Sequence, residues 1–141
     1  ARQGIALLIY AVAVTKFTDV GAYIAGKLFG RHKMSPVISP KKTWEGLAGG
    51  LVLALVTSLS LVHFFPEVLG CFRGVHAWVL GLGLAGASVI GDLGESVVKR
   101  DAQVKDSGHF LPGIGGALDL VDSLLFSLPV FYGYIILTAR V

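Results

Sequence analysis

The fold is decided by an apolar stretch at residues Trp44–Phe65, which reads WEGLAGGLVLALVTSLSLVHFF. Glu45 is the only Asp, Glu, Lys or Arg residue in it, and it lies at the very start. A helix needs roughly 20 apolar residues to cross a hydrocarbon core about 30 Å thick. This stretch therefore predicts a transmembrane helix.

Three further stretches have the same character, namely Gly4–Phe29, His76–Val98 and Leu118–Ala139. The chain is 54% hydrophobic and only 15% charged, and its mean hydropathy is +0.74. These values lie outside the range of ordinary water-soluble domains. We therefore expect an all-α fold, in which residues 1–141 form a single domain that is a polytopic transmembrane bundle of about four membrane-spanning helices.

Aromatic residues near the ends of the spans are expected to lie at the headgroup level as anchors, because their rings are amphipathic. They are Trp44, Phe64, Phe65, Trp78, Phe131, Tyr132 and Tyr134.

Basic residues in the connections between spans predict the orientation. Two connections, which share one side of a four-span bundle, carry Lys27, Arg31, His32, Lys33, Lys41, Lys42, Lys99, Arg100 and Lys105. The other side has only Arg2, Arg73 and Arg140. Since positively charged loops stay in the cytoplasm, we expect an integral protein of the bacterial inner (plasma) membrane with a polar cavity that faces the cytoplasm. The net charge of +3 is explained by these loops, so no nucleic-acid partner is expected.

Small residues recur inside the spans. GLGLAG at Gly81–Gly86 matches a dinucleotide-binding pattern, but it follows no strand and lies in an apolar span, so that function is not expected. Close helix packing is the better interpretation. The small pairs Gly26 with Gly30, Gly46 with Gly50, and Ala87 with Gly91 favour the same role.

Charged residues inside apolar spans indicate a functional site. Lys16, Asp19, Asp92 and Glu95 lie within spans, and Asp119 and Asp122 begin the fourth. A charge near the bilayer centre costs about 2.5–3.5 kcal/mol on insertion scales, so such residues must pair, bind metal or face water. Glu95 and Lys16 are expected to reach the interface by extending along the span, whereas Asp92 is not. Asp19 is expected to face a polar cavity or to form an ion pair.

The spacing of these residues favours a magnesium and phosphate site. Asp92, Ser96 and Lys99 fall on one helical stripe, and so do Asp119 and Asp122. Carboxylates suit Mg²⁺, which completes its shell with water and substrate phosphate. Lys99, Arg100, Lys105 and the segment SPKKTWEG at Ser39–Gly46 offer cations and hydroxyls to phosphate. Two alternatives remain open: a plain intrahelical salt bridge in the first stripe, and an ion or proton pathway.

Two long segments resemble phosphatidate cytidylyltransferases (CDP-diacylglycerol synthases). One is SVVKRDAQVKDSGHFLPGIGGALDLVD at Ser96–Asp122, and the other is TDVGAYIAGKLFGRHKMSPVISPKKTWEGLAGG at Thr18–Gly50. The residues of the first segment that match the family signature are Ser96, Lys99, Arg100, Lys105, Asp106, Gly108, Pro112, Gly115, Gly116, Asp119 and Asp122. The chain departs from it at Ile114, where the family has His, and at Leu120, where it has Arg.

The resemblance implies an Mg²⁺-dependent nucleotidyltransferase that makes CDP-diacylglycerol and pyrophosphate from CTP and phosphatidate. It implies metal binding by Asp92, Asp119 and Asp122, with Lys99 completing the catalytic set. The residues it assigns to substrate are Ser39, Lys41, Lys42, Thr43, Ser96, Arg100, Lys105, Asp106, Gly115 and Gly116. It further implies that the chain is the C-terminal catalytic half of a longer protein. A monovalent cation beside the magnesium and a homodimer are additional expectations.

Three other functions are considered. A related enzyme would transfer the cytidylyl group to an ether-linked isoprenoid lipid phosphate, as a CDP-archaeol synthase does. An ion- or proton-coupled transporter module would use Asp92, Asp119 and Asp122 as its relay, but the lysines around them would repel a cation. An inactive scaffold would follow if Ile114 and Leu120 closed the pocket.

Overall fold

The computed structural model describes residues 2–36, 39–101 and 117–138, and within these the side chains of Arg2 and of residues 117–122 are not described. Four long helices account for most of this part of the chain: α1 (Arg2–Phe29), α2 (Trp44–Phe64), α4 (Val75–Asp101) and α5 (Ala117–Thr138). A short helix, α3 (Pro66–Leu69), and a 3-10 turn at Gly70–Phe72 connect α2 to α4. Each of the four predicted spans is therefore a helix.

Among the described residues, three helices are long and apolar enough to cross a membrane, at Gln3–Phe29, Trp44–Phe64 and Val75–Asp101. In α5 the corresponding apolar helix is shorter, at Ser123–Thr138. This confirms the predicted polytopic helical bundle.

The connection between α1 and α2 differs from the all-α expectation. It contains an antiparallel hairpin of β1 (Lys33–Ser35) and β2 (Ser39–Thr43), in which Lys33 is opposite Thr43. These strands are three and five residues long and are too short and polar for an alternating hydrophobic pattern to reveal them. The hairpin places the Ser39–Thr43 segment against the helix ends.

Helices α1 and α2 pack through glycines. A Cβ atom on Gly21 would lie 2.8 Å from the carbonyl oxygen of Gly49, and one on Gly50 would lie 2.9 Å from the carbonyl oxygen of Thr18. In GLGLAG, Gly81 packs against Ser58 of α2, but a Cβ on Gly83 or Gly86 would meet nothing within 4 Å. The packing interpretation is thus confirmed for the α1–α2 interface and only partly for GLGLAG.

The aromatic core lies at the end of the bundle where α1 begins. Tyr10, Phe72 and Phe131 are buried, and their ring centroids are 5.8–6.0 Å apart. The expectation that Phe131 is an interface anchor is therefore wrong, because its ring fills the space between α1 and the 3-10 turn. The other expected anchors are exposed or half-buried: Trp44, Phe64, Phe65, Trp78, Tyr132 and Tyr134.

Candidate active site

A cavity of about 240 Å³ lies at the end of the bundle where α1 ends and α2 begins. Five elements supply its walls: α1, both strands of the hairpin, the start of α2, and α4. The lining residues are Thr18, Asp19, Ala22, Tyr23, Met34, Ser39, Lys41, Lys42, Thr43, Gly46, Leu47, Val89 and Asp92. The structure thus brings the predicted Ser39–Thr43 segment together with Asp92 and Asp19, which the sequence separates widely.

An ion pair joins the hairpin to α4 inside this cavity. Lys42 Nζ lies 2.7 Å from Asp92 Oδ2, and the two side chains are 20% and 45% exposed. The ammonium nitrogen of Lys42 is itself buried, and it makes the Asp92 contact as an ion pair without a well-aligned hydrogen bond. Because an ammonium carries three donors, Lys42 keeps donor capacity for an anion in the cavity.

Asp19 holds three helices together at the edge of the cavity. Its Oδ1 atom accepts a hydrogen bond of 2.7 Å from Ser88 Oγ, and its Oδ2 atom accepts one of 3.0 Å from Ser123 Oγ. Lys16 Nζ lies 3.5 Å from the same Oδ2 and donates to Ser123 Oγ at 3.1 Å. Both interpretations of Asp19 therefore hold, since it lines the cavity and is ion-paired. The expectation that Lys16 extends to the interface is wrong, because it pairs within the bundle.

Thr43 has a local structural role. Its hydroxyl accepts a hydrogen bond of 3.1 Å from Gly46 N and so caps α2. Such a cap satisfies one of the free N–H groups at a helix start. Its methyl and hydroxyl groups also pack closely on Gly30, the residue directly after α1. The predicted contact of Thr43 with substrate stays a prediction.

The residues of the predicted stripe on α4, Asp92, Ser96 and Lys99, have different partners. Lys99 Nζ pairs with Glu95 Oε1 at 2.6 Å, and the Glu95 side chain is only 9% exposed. Glu95 therefore does not extend to the interface, contrary to expectation, because Lys99 one turn later neutralises it. The hydroxyl of Ser96 donates to the backbone oxygen of Asp92 at 2.8 Å. The open alternative of an intrahelical salt bridge holds for Lys99, with Glu95 rather than Asp92 as its partner.

The remaining predicted residues are not tested. Asp119 and Asp122 lie in the first turns of α5, but their side chains are outside the description. Lys105, Asp106, Gly115 and Gly116 lie outside the described residues altogether. Within the described part of the chain, no group of three or more His, Cys, Asp or Glu side chains is placed to hold a metal. The convergence of Asp92, Asp119 and Asp122 on magnesium therefore stays a prediction, as do the roles of Ser96, Lys99 and Arg100.

Some residues at this site were not predicted. Ser88 and Ser123 contact Asp19, and Tyr23 lines the cavity. Helical spacing contains a signal for each, since Ser88 is four residues before Asp92, Ser123 is four residues after Asp119, and Tyr23 is four residues after Asp19.

Comparison with known proteins identifies the family. The model of the Cytidylyltransferase family matches residues 1–138. A phosphatidate cytidylyltransferase of Haemophilus influenzae is 42% identical over 130 residues, which are 92% of this chain and 45% of the relative. Relatives with the same name from Staphylococcus haemolyticus and Bacillus subtilis are 45% and 44% identical, over 91% and 93% of this chain and 48% of each relative.

The chain thus spans about half the length of the curated relatives it matches. Its apolar helices and these bacterial relatives make it an integral membrane protein. The family match includes all the elements around the cavity. The resemblance noted in the sequence is confirmed, and the chain belongs to the Cytidylyltransferase family.

Proposed function

We propose that the protein transfers a cytidylyl group from CTP to phosphatidate, giving CDP-diacylglycerol and pyrophosphate, at the cavity between α1, α4 and the hairpin. The observation that carries this proposal is the meeting of Lys42 with Asp92 at 2.7 Å. A cation from the hairpin and an anion from α4 there share one cavity with Ser39 and Lys41. The name shared by the relatives supports the substrate assignment.

The chemistry of the reaction suits these residues. The attacking group is a lipid phosphate, whose second pKa is about 6 in typical phosphate monoesters, so it is already ionised near neutral pH. No strong general base is needed. The site has to bring two polyanions together and hold them in line, which is a task of charge neutralisation and positioning.

Lys41 and Lys42 are proposed to neutralise substrate phosphate, with Ser39 as a hydroxyl donor. Lys42 is held by Asp92 and has two donors beyond that contact. An incoming phosphate oxygen offers it a second anionic partner at little cost in rearrangement. Lys99 and Arg100, at the end of α4, are proposed to act on phosphate from the adjoining side.

Magnesium is proposed to bind Asp92 together with Asp119 and Asp122. The chemistry of Asp92 fits, because its carboxylate lines the cavity, is 45% exposed and supplies the oxygen ligands that Mg²⁺ prefers. When bound, the ion would withdraw charge from the phosphate oxygens of the nucleotide. We further propose that the cavity faces the cytoplasm at the inner membrane, where the basic hairpin and the end of α4 would lie.

A cation-coupled transporter is the second class of function. Lys41 and Lys42 favour the enzyme over it, because ammonium groups in the cavity wall attract phosphate and offer a transported cation no ligand. The isoprenoid lipid phosphate of a CDP-archaeol synthase would present the same phosphate group to the cavity. An assay with both lipids is therefore needed to distinguish it from phosphatidate.

The test uses the full-length protein reconstituted in lipid vesicles with Mg²⁺ and labelled CTP. Release of pyrophosphate is followed with phosphatidate, with an ether-linked isoprenoid lipid phosphate, and with no acceptor. We expect release with phosphatidate and a loss of at least about 100-fold in Asp92→Asn. Glu67→Gln, which removes an exposed carboxylate at the other end of the bundle, is the matched control and should retain wild-type rates. If the wild-type protein released no pyrophosphate with either lipid, the enzyme proposal would be refuted. If release were faster with the isoprenoid lipid, that lipid and not phosphatidate would be the substrate.

A further inference from the structure

Asp19 is the point at which α1, α4 and α5 are hydrogen-bonded to one another beside the cavity. One carboxylate oxygen binds Ser88 of α4 at 2.7 Å, and the other binds Ser123 of α5 at 3.0 Å. Lys16, one turn earlier on α1, lies 3.5 Å from the second oxygen. A single side chain therefore connects three helices.

The burial of these groups makes the connection rigid. Ser88 is 0% exposed and Ser123 is 1% exposed, so neither hydroxyl has water as an alternative partner. Hydrogen bonds to an ionised carboxylate are roughly twice as strong as neutral ones. Losing the bond between Asp19 and Ser88 would leave the buried Ser88 hydroxyl without this partner, at a cost of about 1–3 kcal/mol.

The two serines lie close in the chain to the aspartates of the proposed metal site. Ser88 lies four residues before Asp92, one turn away on α4, and Ser123 directly follows Asp122 and lies four residues after Asp119 on α5. The same carboxylate thus fixes the rotation of the helix that carries Asp92 and of the helix that carries the other two aspartates. A helix rotation at Ser123 moves the backbone of both α5 aspartates with it.

We propose that Asp19 is a positioning residue, which holds the first turns of α5 in register with α4 so that Asp92 and the aspartates of α5 meet at one site. This inference rests on the proposed function, in which those aspartates share a metal. In this proposal Asp19 acts through Ser88 and Ser123, because its two oxygens accept hydrogen bonds from their hydroxyls and Oδ2 also lies 3.5 Å from Lys16 Nζ.

The test compares two serine variants on the same helix. Ser123→Ala removes a hydroxyl that contacts Asp19. Ser127→Ala removes an equally buried hydroxyl one turn later, which donates to the backbone oxygens of Ser123 at 2.7 Å and of Leu84 on α4 at 3.5 Å and does not contact Asp19. Binding of Mn²⁺ to the full-length protein, without nucleotide or lipid, is measured by electron paramagnetic resonance. We expect Ser123→Ala and Asp19→Asn to weaken Mn²⁺ binding about 10–100-fold, as loss of outer-shell partners does. Ser127→Ala should change it less than about twofold.

Hydrogen exchange provides the second measurement, because it reports the ordering of α5 directly. Amide exchange in the first turns of α5 should accelerate in Ser123→Ala and Asp19→Asn, while exchange near the end of α5 stays at the wild-type rate. Asp19→Asn also leaves Lys16 without this carboxylate, so the double variant Lys16→Met/Asp19→Asn, which carries neither charge, controls for folding. It should fold and show the same weak Mn²⁺ binding.

Equal Mn²⁺ affinities in Ser123→Ala and Ser127→Ala would overturn the positioning role, and so would wild-type exchange at the start of α5 in Asp19→Asn. A wild-type protein that binds no Mn²⁺ would overturn it as well. If instead these results are as expected but no CDP-lipid forms, the proposed reaction fails and the positioning role of Asp19 stands. A normal exchange pattern combined with weak Mn²⁺ binding only in Asp19→Asn would make Asp19 a direct ligand and refute the proposal.

Discussion

Two cavities of comparable size lie at opposite ends of the helical bundle and differ in charge. The cavity at the hairpin end, about 240 Å³, is lined by Lys41, Lys42, Asp19 and Asp92 among others. The second cavity, about 190 Å³, is lined by apolar side chains of α1, α2 and α3 together with Tyr10. Volume alone therefore does not locate the function.

The polar groups near the two cavities are also arranged differently. At the apolar end, Tyr10 Oη is 2.6 Å from Ser58 Oγ, and Ser58 donates to the backbone oxygen of Ala77 at 2.7 Å, so these hydroxyls are used in packing. At the hairpin end, the ammonium nitrogen of Lys42 is buried beside the Asp92 carboxylate and keeps donors for a ligand. Donors that are not used in packing therefore favour the hairpin end as the proposed substrate site.

The largest effect is expected from Lys42→Met at the hairpin end. Loss of this cation should raise the KM for a phosphate-bearing substrate and lower kcat/KM about 100-fold, since it removes the buried charge that is proposed to bind phosphate. Stability should change by less than about 1 kcal/mol, because the remaining Asp92 carboxylate is 45% exposed and can be hydrated. Asp92→Asn should destabilise the protein more, because it leaves a buried ammonium. Steady-state kinetics and thermal unfolding in detergent check both statements, and the reverse order of stabilities would contradict the assigned burial.

The second effect concerns the α1–α2 interface, which supports the hairpin end. Gly21→Ala should lower the free energy of unfolding by up to about 3 kcal/mol, because the new Cβ would lie 2.8 Å from the carbonyl oxygen of Gly49 and from Leu53 Cβ. Gly83→Ala is the matched control, since its Cβ would meet nothing within 4 Å. The control should be neutral or stabilised by up to about 1 kcal/mol. Equal unfolding temperatures for the two variants would contradict the close packing.

At the apolar end, Ser58→Ala should reduce stability by about 1–2 kcal/mol, because it leaves the buried hydroxyl of Tyr10 without this partner. The KM values should remain at the wild-type level, in contrast with Lys42→Met. Ser60→Ala, two residues away on α2 and only half-buried, is the control and should be near neutral. A raised KM in Ser58→Ala would contradict the assignment of packing to the apolar end and of substrate binding to the hairpin end.

The smallest effect is expected at the surface of the hairpin. His32 Nδ1 lies 2.6 Å from Glu45 Oε1, and the His32 side chain is 79% exposed. Exposed ion pairs contribute about 0–1 kcal/mol, and this contact is an ion pair only while His32 is protonated, so Glu45→Gln should lower the unfolding temperature only slightly. The shift should shrink further in high salt, where exposed charges are screened. A decrease in unfolding temperature as large as that of Gly21→Ala would show that the His32–Glu45 pair, and not helix packing, stabilises the hairpin.

The sequence was sufficient to predict the helices and the part of the chain that forms the cavity. A helix that crosses a membrane needs a long apolar stretch, so α1, α2, α4 and α5 could be predicted within a few residues. Charges in such stretches are costly, so Asp19 and Asp92 stood out, and the lysines of Ser39–Thr43 stood out as cations suited to phosphate. The hairpin could not be predicted, because its short polar strands have no hydrophobic pattern.

The partners of Lys42 and Asp19 were decided only by the tertiary structure. Lys42 pairs with Asp92, and Asp19 with two serines on other helices. Helical spacing predicts which residues share a face, but the partner across an interface depends on how each helix is rotated and how closely it packs. In this bundle the glycines between α1 and α2 allow these two helices to approach closely. Because α1, α4 and the hairpin meet, charged residues that are far apart in the sequence line one cavity.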